Sequence, residues 1–345
     1  MKVLFWGTPA YALPSLEALH QAGHELVGVV SQPDRRRGRG AALQPSPIKA
    51  RALELGLPVF TPERIRREPG LQAELAGLQA DVSVVVAFGQ ILPPEVLEQP
   101  PLGCWNGHAS LLPRWRGAAP IQWALLSGDR ETGVGIMAME EGLDTGAVLL
   151  ERRLPIGLHD NAGLLAERLA ALTGSLLLEA LPRIAAAGPG PAAERAQRLG
   201  LVPQLEQGLT YARLLHASDR RLDWSQPALT LHRQVMGLWP SAYAHRGEQR
   251  LKVLACEPLL PELCGELSPE AAALLERWAP GGTGWPAGDG TTPGRVLALE
   301  PGAGLVIACG EGALLLREAQ LQGKGAAAGQ ALLQQLGLQA GDQLS

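Results

Sequence analysis

Short apolar, β-branched runs at residues 3–6, 25–31 and 82–88 read as strands, and residues 11–21 between the first two carry Leu and Ala at helical spacing. Further strands are expected at 103–106 and 134–139, with a helix between them at about 118–126. This alternation predicts an α/β fold, a Rossmann-like, mostly parallel sheet with helices on its faces. Gly188-Pro189-Gly190-Pro191 then opens a segment of small and polar residues that makes a poor helix or strand and a good linker. Beyond it, residues 211–216 and 228–236 read as helical. Short strands follow at 250–255, 294–299, 304–308 and 312–317, separated by Gly-containing turns, which predicts a smaller β-barrel, OB-like in type. The expected division is a catalytic domain at 1–186, a linker at 187–204 and a C-terminal barrel domain at 205–345. A surface insertion rich in Pro and Gly is expected near 259–292.

Composition narrows the classes. A chain of 345 residues, 46% hydrophobic, can bury a sizeable core in two domains. No apolar stretch reads as long enough to cross a bilayer, so a soluble, cytoplasmic monomer is expected. Cys104, Cys256, Cys264 and Cys309 are scattered without a partner at metal-ligand spacing, so neither disulfide, zinc nor any other metal is expected. The formal charge of −4 carries no signature of a nucleic-acid binder. Any RNA contact must come from a local patch, and Arg35-Arg36-Arg37-Gly38-Arg39-Gly40, after the second predicted strand, is one.

Open parallel sheets bind ligands at the carboxyl ends of their strands. Asn106-Gly107-His108 follows one predicted strand, and Glu140-Glu141-Gly142-Leu143-Asp144-Thr145-Gly146 follows another. In extended chain, residues i and i+2 point the same way, so Asn106 and His108 can serve one site, with Asp144 on a neighbouring loop. An amide donor and an imidazole N–H suit the oxyanion that forms when an amine attacks a carbonyl, and a carboxylate can orient the imidazole and take up a proton. Taken singly, a His after a strand is more often structural, and an Asp between glycines is more often a turn former. Gly7-Thr8-Pro9 stands where a dinucleotide enzyme would carry Gly-x-Gly-x-x-Gly, which argues against a nicotinamide oxidoreductase.

The run Asn106-Gly107-His108-Ala109-Ser110-Leu111-Leu112-Pro113 with Arg116-Gly117, and the run Gly142-Leu143-Asp144-Thr145-Gly146, resemble the two signatures of the folate-dependent formyltransferases. The resemblance implies Asn106, His108 and Asp144 as catalytic residues and 10-formyltetrahydrofolate as cosubstrate. It also implies a pterin pocket formed largely by backbone groups of Phe88, Gly89, Gln90, Ile91, Leu92 and Pro93, with Ser110, Leu111, Leu112, Pro113, Glu140 and Gly142. The segments Phe5-Trp6-Gly7-Thr8-Pro9, Gln32-Pro33-Asp34-Arg35, Arg114 to Gln122 and Trp239-Pro240 resemble the members that formylate methionyl-tRNA. Charged initiator methionyl-tRNA is the acceptor so implied, with Arg35, Arg36, Arg37 and Arg39 against its acceptor stem. The chain departs from that pattern where Ala41-Ala42 replace basic residues. Arg213, Arg220, Arg221, Arg233, Arg246, Arg250, Lys252, Arg317 and Lys324 are candidates for a second basic face. Two other readings stay open: a formyltransferase for an amino-sugar nucleotide or other small amine, and an RNA-binding protein without catalysis. A glycinamide ribonucleotide formyltransferase would leave residues 205–345 unexplained.

Overall fold

The structure, a computed structural model, describes residues 1–37, 42–278 and 292–345, with the side chains of Arg37 and Trp278 outside the description. The chain divides into two compact units, Met1–Pro120, Glu131–Pro155 and Leu165–Leu214 in the first, and Ile121–Arg130, Ile156–Leu164 and Leu215–Ser345 in the second.

The first unit contains β1 (Lys2–Gly7), β2 (Glu25–Val30), β3 (Arg35–Arg37), β4 (Ala42–Gln44), β5 (Val59–Phe60), β6 (Val82–Val86), β7 (Cys104–His108), β8 (Arg116–Gly117), β9 (Glu131–Ala138), β10 (Val148–Pro155) and β11 (Tyr211–Ala212). Its helices are α1 (Leu13–Gln21), α2 (Pro47–Glu54), α3 (Pro69–Gly77) and α4 (Pro94–Leu97); α5 (Pro120–Ser127) and α6 (Ala162–Ala187) each run across the division. Seven strands form a sheet in the order β10-β9-β7-β6-β1-β2-β5, parallel from β7 to β5 and antiparallel where β9 joins β7 and β10 joins β9. Val3, Leu4, Phe5 and Trp6 of β1 and all five residues of β6 are buried, as continuous apolar runs in the middle of a two-face-covered sheet must be. The edge strand β10 instead carries Glu151, Arg152 and Arg153, which blunt its open side.

Three local expectations are corrected. α6 is by length and composition apolar enough to cross a bilayer, although half of its most apolar window is buried in the protein. Its buried Leu165, Leu169, Leu176, Ala180 and Ile184 form one helical stripe, the pattern of a core helix. Residues 192–199, expected as irregular linker, form α7 (Ala192–Leu199), closed by Gly200 at φ 61°. Residues 211–216, expected as helix, begin instead with β11, which pairs in parallel with β8.

The second unit holds β12 (Tyr243–Arg246), β13 (Gln249–Leu259), β14 (Val296–Glu300), β15 (Gly304–Ala308), β16 (Ala313–Leu321) and β17 (Ala327–Ala328), with α8 (Ala228–Gly237), α9 (Pro269–Trp278) and α10 (Gly329–Leu336). The strands form an antiparallel sheet in the order β12-β13-β16-β15-β14, with β17 on β16. One face packs Leu251, Val253, Leu305, Ile307, Leu314 and Leu316 with Leu231 and Val235 of α8 and Leu332 and Leu336 of α10. The other packs Val306, Ala313 and Leu315 against Ala271, Leu274 and Leu275 of α9. The segment expected as a surface insertion therefore completes a core on its described side, while residues 279–291 lie outside the described chain. Ser268 caps α9 and is held by the buried carboxylate of Glu257, which also pairs with Arg317. His232 is held between two carbonyls, with Nε2 2.9 Å from that of Leu158 and Nδ1 3.0 Å from that of Cys256, whose thiol lies 3.6 Å from Nδ1. Burial pushes the Cys256 thiol up and the His232 imidazole down to about 4, which keeps both groups neutral.

Candidate active site

Asn106 and His108 sit within β7, two residues apart, and their side chains emerge on one face. Gly107 between them turns to the opposite face, where a Cβ would come within 2.5 Å of Thr173 Cγ2 in α6. Only glycine lets that helix press against the strand beneath the two polar residues. Thr173 is itself fixed by Tyr11 at 2.8 Å, and burial pushes the Tyr11 hydroxyl up.

Asp144 comes from the loop after β9. That loop was expected at the carboxyl end of another parallel strand, but β9 runs antiparallel to β7, with Asn106 opposite Met137 and His108 opposite Gly135. The loop folds back to bring the carboxylate to the pair. Asn106 Nδ2 donates to Asp144 Oδ1 at 3.2 Å, the Gly117 N–H donates to Oδ2 at 2.8 Å, and His108 Nδ1 lies 3.6 Å from Oδ2. His108 Nε2 is 3.0 Å from the Trp115 carbonyl, which can only accept, so this nitrogen carries hydrogen. Asn106 and His108 are buried and the Asp144 side chain is only 13% exposed, so their interactions are poorly screened.

Four non-glycine residues among those described have positive φ, and three stand here: Ala87 at 49°, Trp115 at 63° and Asp144 at 53°. Each costs on the order of 1 kcal/mol and persists only where its surroundings hold it. The residues holding two of them were not singled out in the sequence. Gln204 Nε2 donates to the carbonyls of Asp144 and Gly146, both at 2.8 Å, and Gln204 Oε1 accepts from Arg116 Nε at 2.9 Å. Thr210 Oγ1 accepts the Trp115 N–H at 2.9 Å. A single Gln or Thr in irregular chain carries no signal by which sequence reasoning could find it.

The expected pterin-binding loop turns its side chains inward. Phe88 is buried edge-on against Trp6, Gln90 bonds to the backbone of Pro62, Glu63 and Ile65, and Leu92 is buried in the core, while Ile91 is exposed. Backbone is what such a loop has left to offer outward. A cavity of about 320 Å³ opens beside it, lined by Thr8, Pro9, Gln32, Pro33, Arg35, Gln44, Ser46, Ala87, Phe88 and Gly89. That volume is at the small end of ligand pockets and suits a flat heteroaromatic ring. Of the expected pocket residues, Phe88 and Gly89 line it. Ser110 is buried and donates to the Arg114 carbonyl at 2.6 Å, Leu112 is buried, Leu111, Pro93 and Pro113 do not line the cavity, and Glu140 and Gly142 are exposed on the Asp144 loop. Arg35 and Arg36 project from the β3–β4 hairpin, and Arg35 lines the cavity; the Arg37 side chain and Arg39 lie outside the described residues.

Comparison with known proteins adds the family. Residues 1–181 match the model described as formyl transferase, and residues 214–337 match that of the formyl transferase C-terminal domain. A methionyl-tRNA formyltransferase of Synechococcus sp. (strain RCC307) is 62% identical over 338 residues, covering 97% of this chain and 100% of that one. Another, of Synechococcus sp. (strain WH7803), is 60% identical over 344 residues, covering 100% and 98%. Among solved structures, the sugar 3N-formyl transferase WlaRD aligns with a TM-score of 0.60 at 15% identity over 94% of this chain and 99% of that one. HypX of Aquifex aeolicus in complex with tetrahydrofolic acid aligns at 0.59 and 18%, over 100% of this chain and 50% of that one. At such identities the structural likenesses speak for the fold, whereas the full-length identities of about 60% decide membership: the chain belongs to the methionyl-tRNA formyltransferase family.

Proposed function

We infer that this enzyme transfers the formyl group of 10-formyltetrahydrofolate to the amino group of charged initiator methionyl-tRNA, giving N-formylmethionyl-tRNA and tetrahydrofolate for translation initiation. The observation that carries the chemistry is the convergence of Asn106, His108 and Asp144 in one poorly screened cluster. The amine nitrogen bonds to the formyl carbon, the carbon's bond to folate N10 breaks, and the proton shed by the amine ends on N10. Asn106 Nδ2 has a second N–H for the developing oxyanion. At 3.6 Å the contact between His108 Nδ1 and Asp144 is beyond hydrogen-bond length; with the Nε2 hydrogen given to the Trp115 carbonyl, Nδ1 offers an N–H to that oxyanion when the ring is protonated, and the carboxylate then balances its charge. Asp144 also stands ready to relay the amine's proton. The cavity beside Thr8, walled on the loop side by Ala87, Phe88 and Gly89, is the proposed seat of the pterin.

The acceptor assignment rests on the second unit and on the Arg hairpin. Residues 341–345 bond to both ends of the strand path, at Gly294 before β14, at Val296 of β14 and at His245 of β12, which supports a closed, OB-like barrel. On its outside Arg250 lies over the Tyr243 ring at 4.3 Å, with Lys252 paired across from Tyr243, an aromatic and basic surface suited to RNA backbone and bases. Arg317 is excluded from that face by its pairing with Glu257 and Glu270. The test is formyl transfer to charged initiator tRNA with free methionine and an amino-sugar nucleotide as competitors. Transfer to the charged tRNA is expected; transfer to the sugar nucleotide instead would keep the chemistry and overturn the acceptor.

A further inference from the structure

We propose that residues 204–212 form a strut that sets the geometry of the catalytic cluster, with Gln204 as a positioning residue for Asp144 and Thr210 as one for His108. This rests on the reading of Asp144 and His108 given above and adds what holds them. The segment runs along the first unit as an irregular tail with a turn at Glu206–Leu209. It is tied at Val202, which exchanges both backbone hydrogen bonds with Val148, and at β11, where the carbonyls of Thr210 and Ala212 accept from Arg116 at 3.0 Å and Ala118 at 2.8 Å.

The chain at 115–118 is therefore shared between two duties. The backbone N–H groups of Arg116 and Ala118 turn to the tail, while the Trp115 carbonyl and the Gly117 N–H turn to His108 and Asp144. Gly117 has φ 117°, and a Cβ there would stand 2.8 Å from the Ala212 carbonyl, so the close approach of tail to strand needs glycine. The tail thus sets where the strand lies, and the strand sets where two members of the cluster point.

Gln204 acts more directly. Its two N–H groups serve the carbonyls of Asp144 and Gly146, which pins the chain that leaves Asp144, a residue in left-handed conformation. Its amide has one workable orientation, because the Arg116 guanidinium can only donate and the two carbonyls can only accept. Its role is to donate rather than to fill space.

That distinction makes Gln204→Glu the decisive substitution. It keeps the size and the contact with Arg116, but presents a carboxylate oxygen to the two carbonyls. Full-length enzyme carrying it should lose roughly tenfold to a hundredfold in kcat, with KM for folate and for tRNA changed by less than about threefold. In an Asp144→Asn background the same change should cost less than about twofold, because a residue that acts through Asp144 has nothing left to position. An unchanged kcat, or losses that multiply in the double variant, would overturn the proposal. If Asp144→Asn alone kept wild-type turnover, the reading of the cluster would fall instead, so the two failures are distinguishable. Thr210→Val is the second variant should Gln204→Glu not fold. It keeps the shape, removes the acceptor for the Trp115 N–H, and should lower kcat by roughly tenfold with the same KM pattern, an effect absent in a His108→Ala background; additive losses there would refute the Thr210 part.

Discussion

Replacing Asp144 by asparagine keeps the shape of the side chain and removes its charge. Two donors hold its two oxygens, Asn106 Nδ2 at 3.2 Å and the Gly117 N–H at 2.8 Å, and His108 Nδ1 stands 3.6 Å from Oδ2. An amide offers one oxygen, so whichever way it turns, its NH2 meets a donor. The Gly117 N–H is fixed in the backbone, and Asn106 is the group that must swing away. The larger loss is electrostatic. Opposite unit charges 3.6 Å apart attract by about 5 kcal/mol at an effective dielectric of about 20. If only half of that is realised in stabilising a protonated His108 against the oxyanion in the transition state, the loss approaches two orders of magnitude in rate. Asp144→Asn should therefore lower kcat by about a hundredfold to a thousandfold in single-turnover formyl transfer, with binding of the folate nearly unchanged. His108→Ala should fall in the same range, and the double variant should be hardly worse than either, because the residues act as a unit. A kcat for Asp144→Asn within about threefold of the wild type would refute the reasoning.

Three other outcomes are expected. Gly107→Ala drives a methyl against Thr173 Cγ2 and should destabilise the first unit by about 1–3 kcal/mol in urea unfolding; adding Thr173→Ser, which removes that carbon and keeps the hydroxyl, should recover most of the loss. His232, held at about 4 in the folded protein against about 6.5 unfolded, makes the unfolded chain bind more protons between those values, so stability falls as pH drops through that window. From pH 7 to pH 5 the second unit should lose about 2 kcal/mol through this residue, and the His232→Gln variant should lack that slope. Replacing Arg35 and Arg36 with alanine should weaken tRNA binding and reduce the slope of log K against log salt by about 2, as two phosphate contacts would; an unchanged slope in filter binding would show the hairpin arginines to be solvated.

Local geometry was legible in the sequence and long-range geometry was not. The i, i+2 relation of Asn106 and His108 follows from extended chain alone, and β7 presents them together. The sense of β9 has no local signature: eight residues with the same apolar run fit a parallel or an antiparallel neighbour, and only the crossing of the chain decides. Tyr211, Ala212, Leu214 and Leu215 have helical spacing, yet Tyr211 and Leu214 are exposed and the segment's hydrogen bonds are taken by β8. Arg317 looked like one more surface cation. Its partner Glu257 lies on a neighbouring strand, and no spacing within either segment announces a buried carboxylate across the sheet.

The same contrast bears on how the site is built. A reactive cluster needs side chains held away from their most relaxed backbone, and strain of that kind survives only where other groups fix the chain on both sides. Trp115 is caught between Thr210 and His108, and Asp144 between Gln204 and Gly117. On the proposed reading, motif positions supply the reacting groups, and residues some 60 to 95 positions later supply the restraint. The proposed strut implies that the chemistry of the first unit is not complete at α6, because the chain that follows it is part of the catalytic support. A truncation meant to test whether the second unit is needed for turnover has to end after β11, since one that stops before Gln204 would remove the strut as well and report its loss as a loss of tRNA binding.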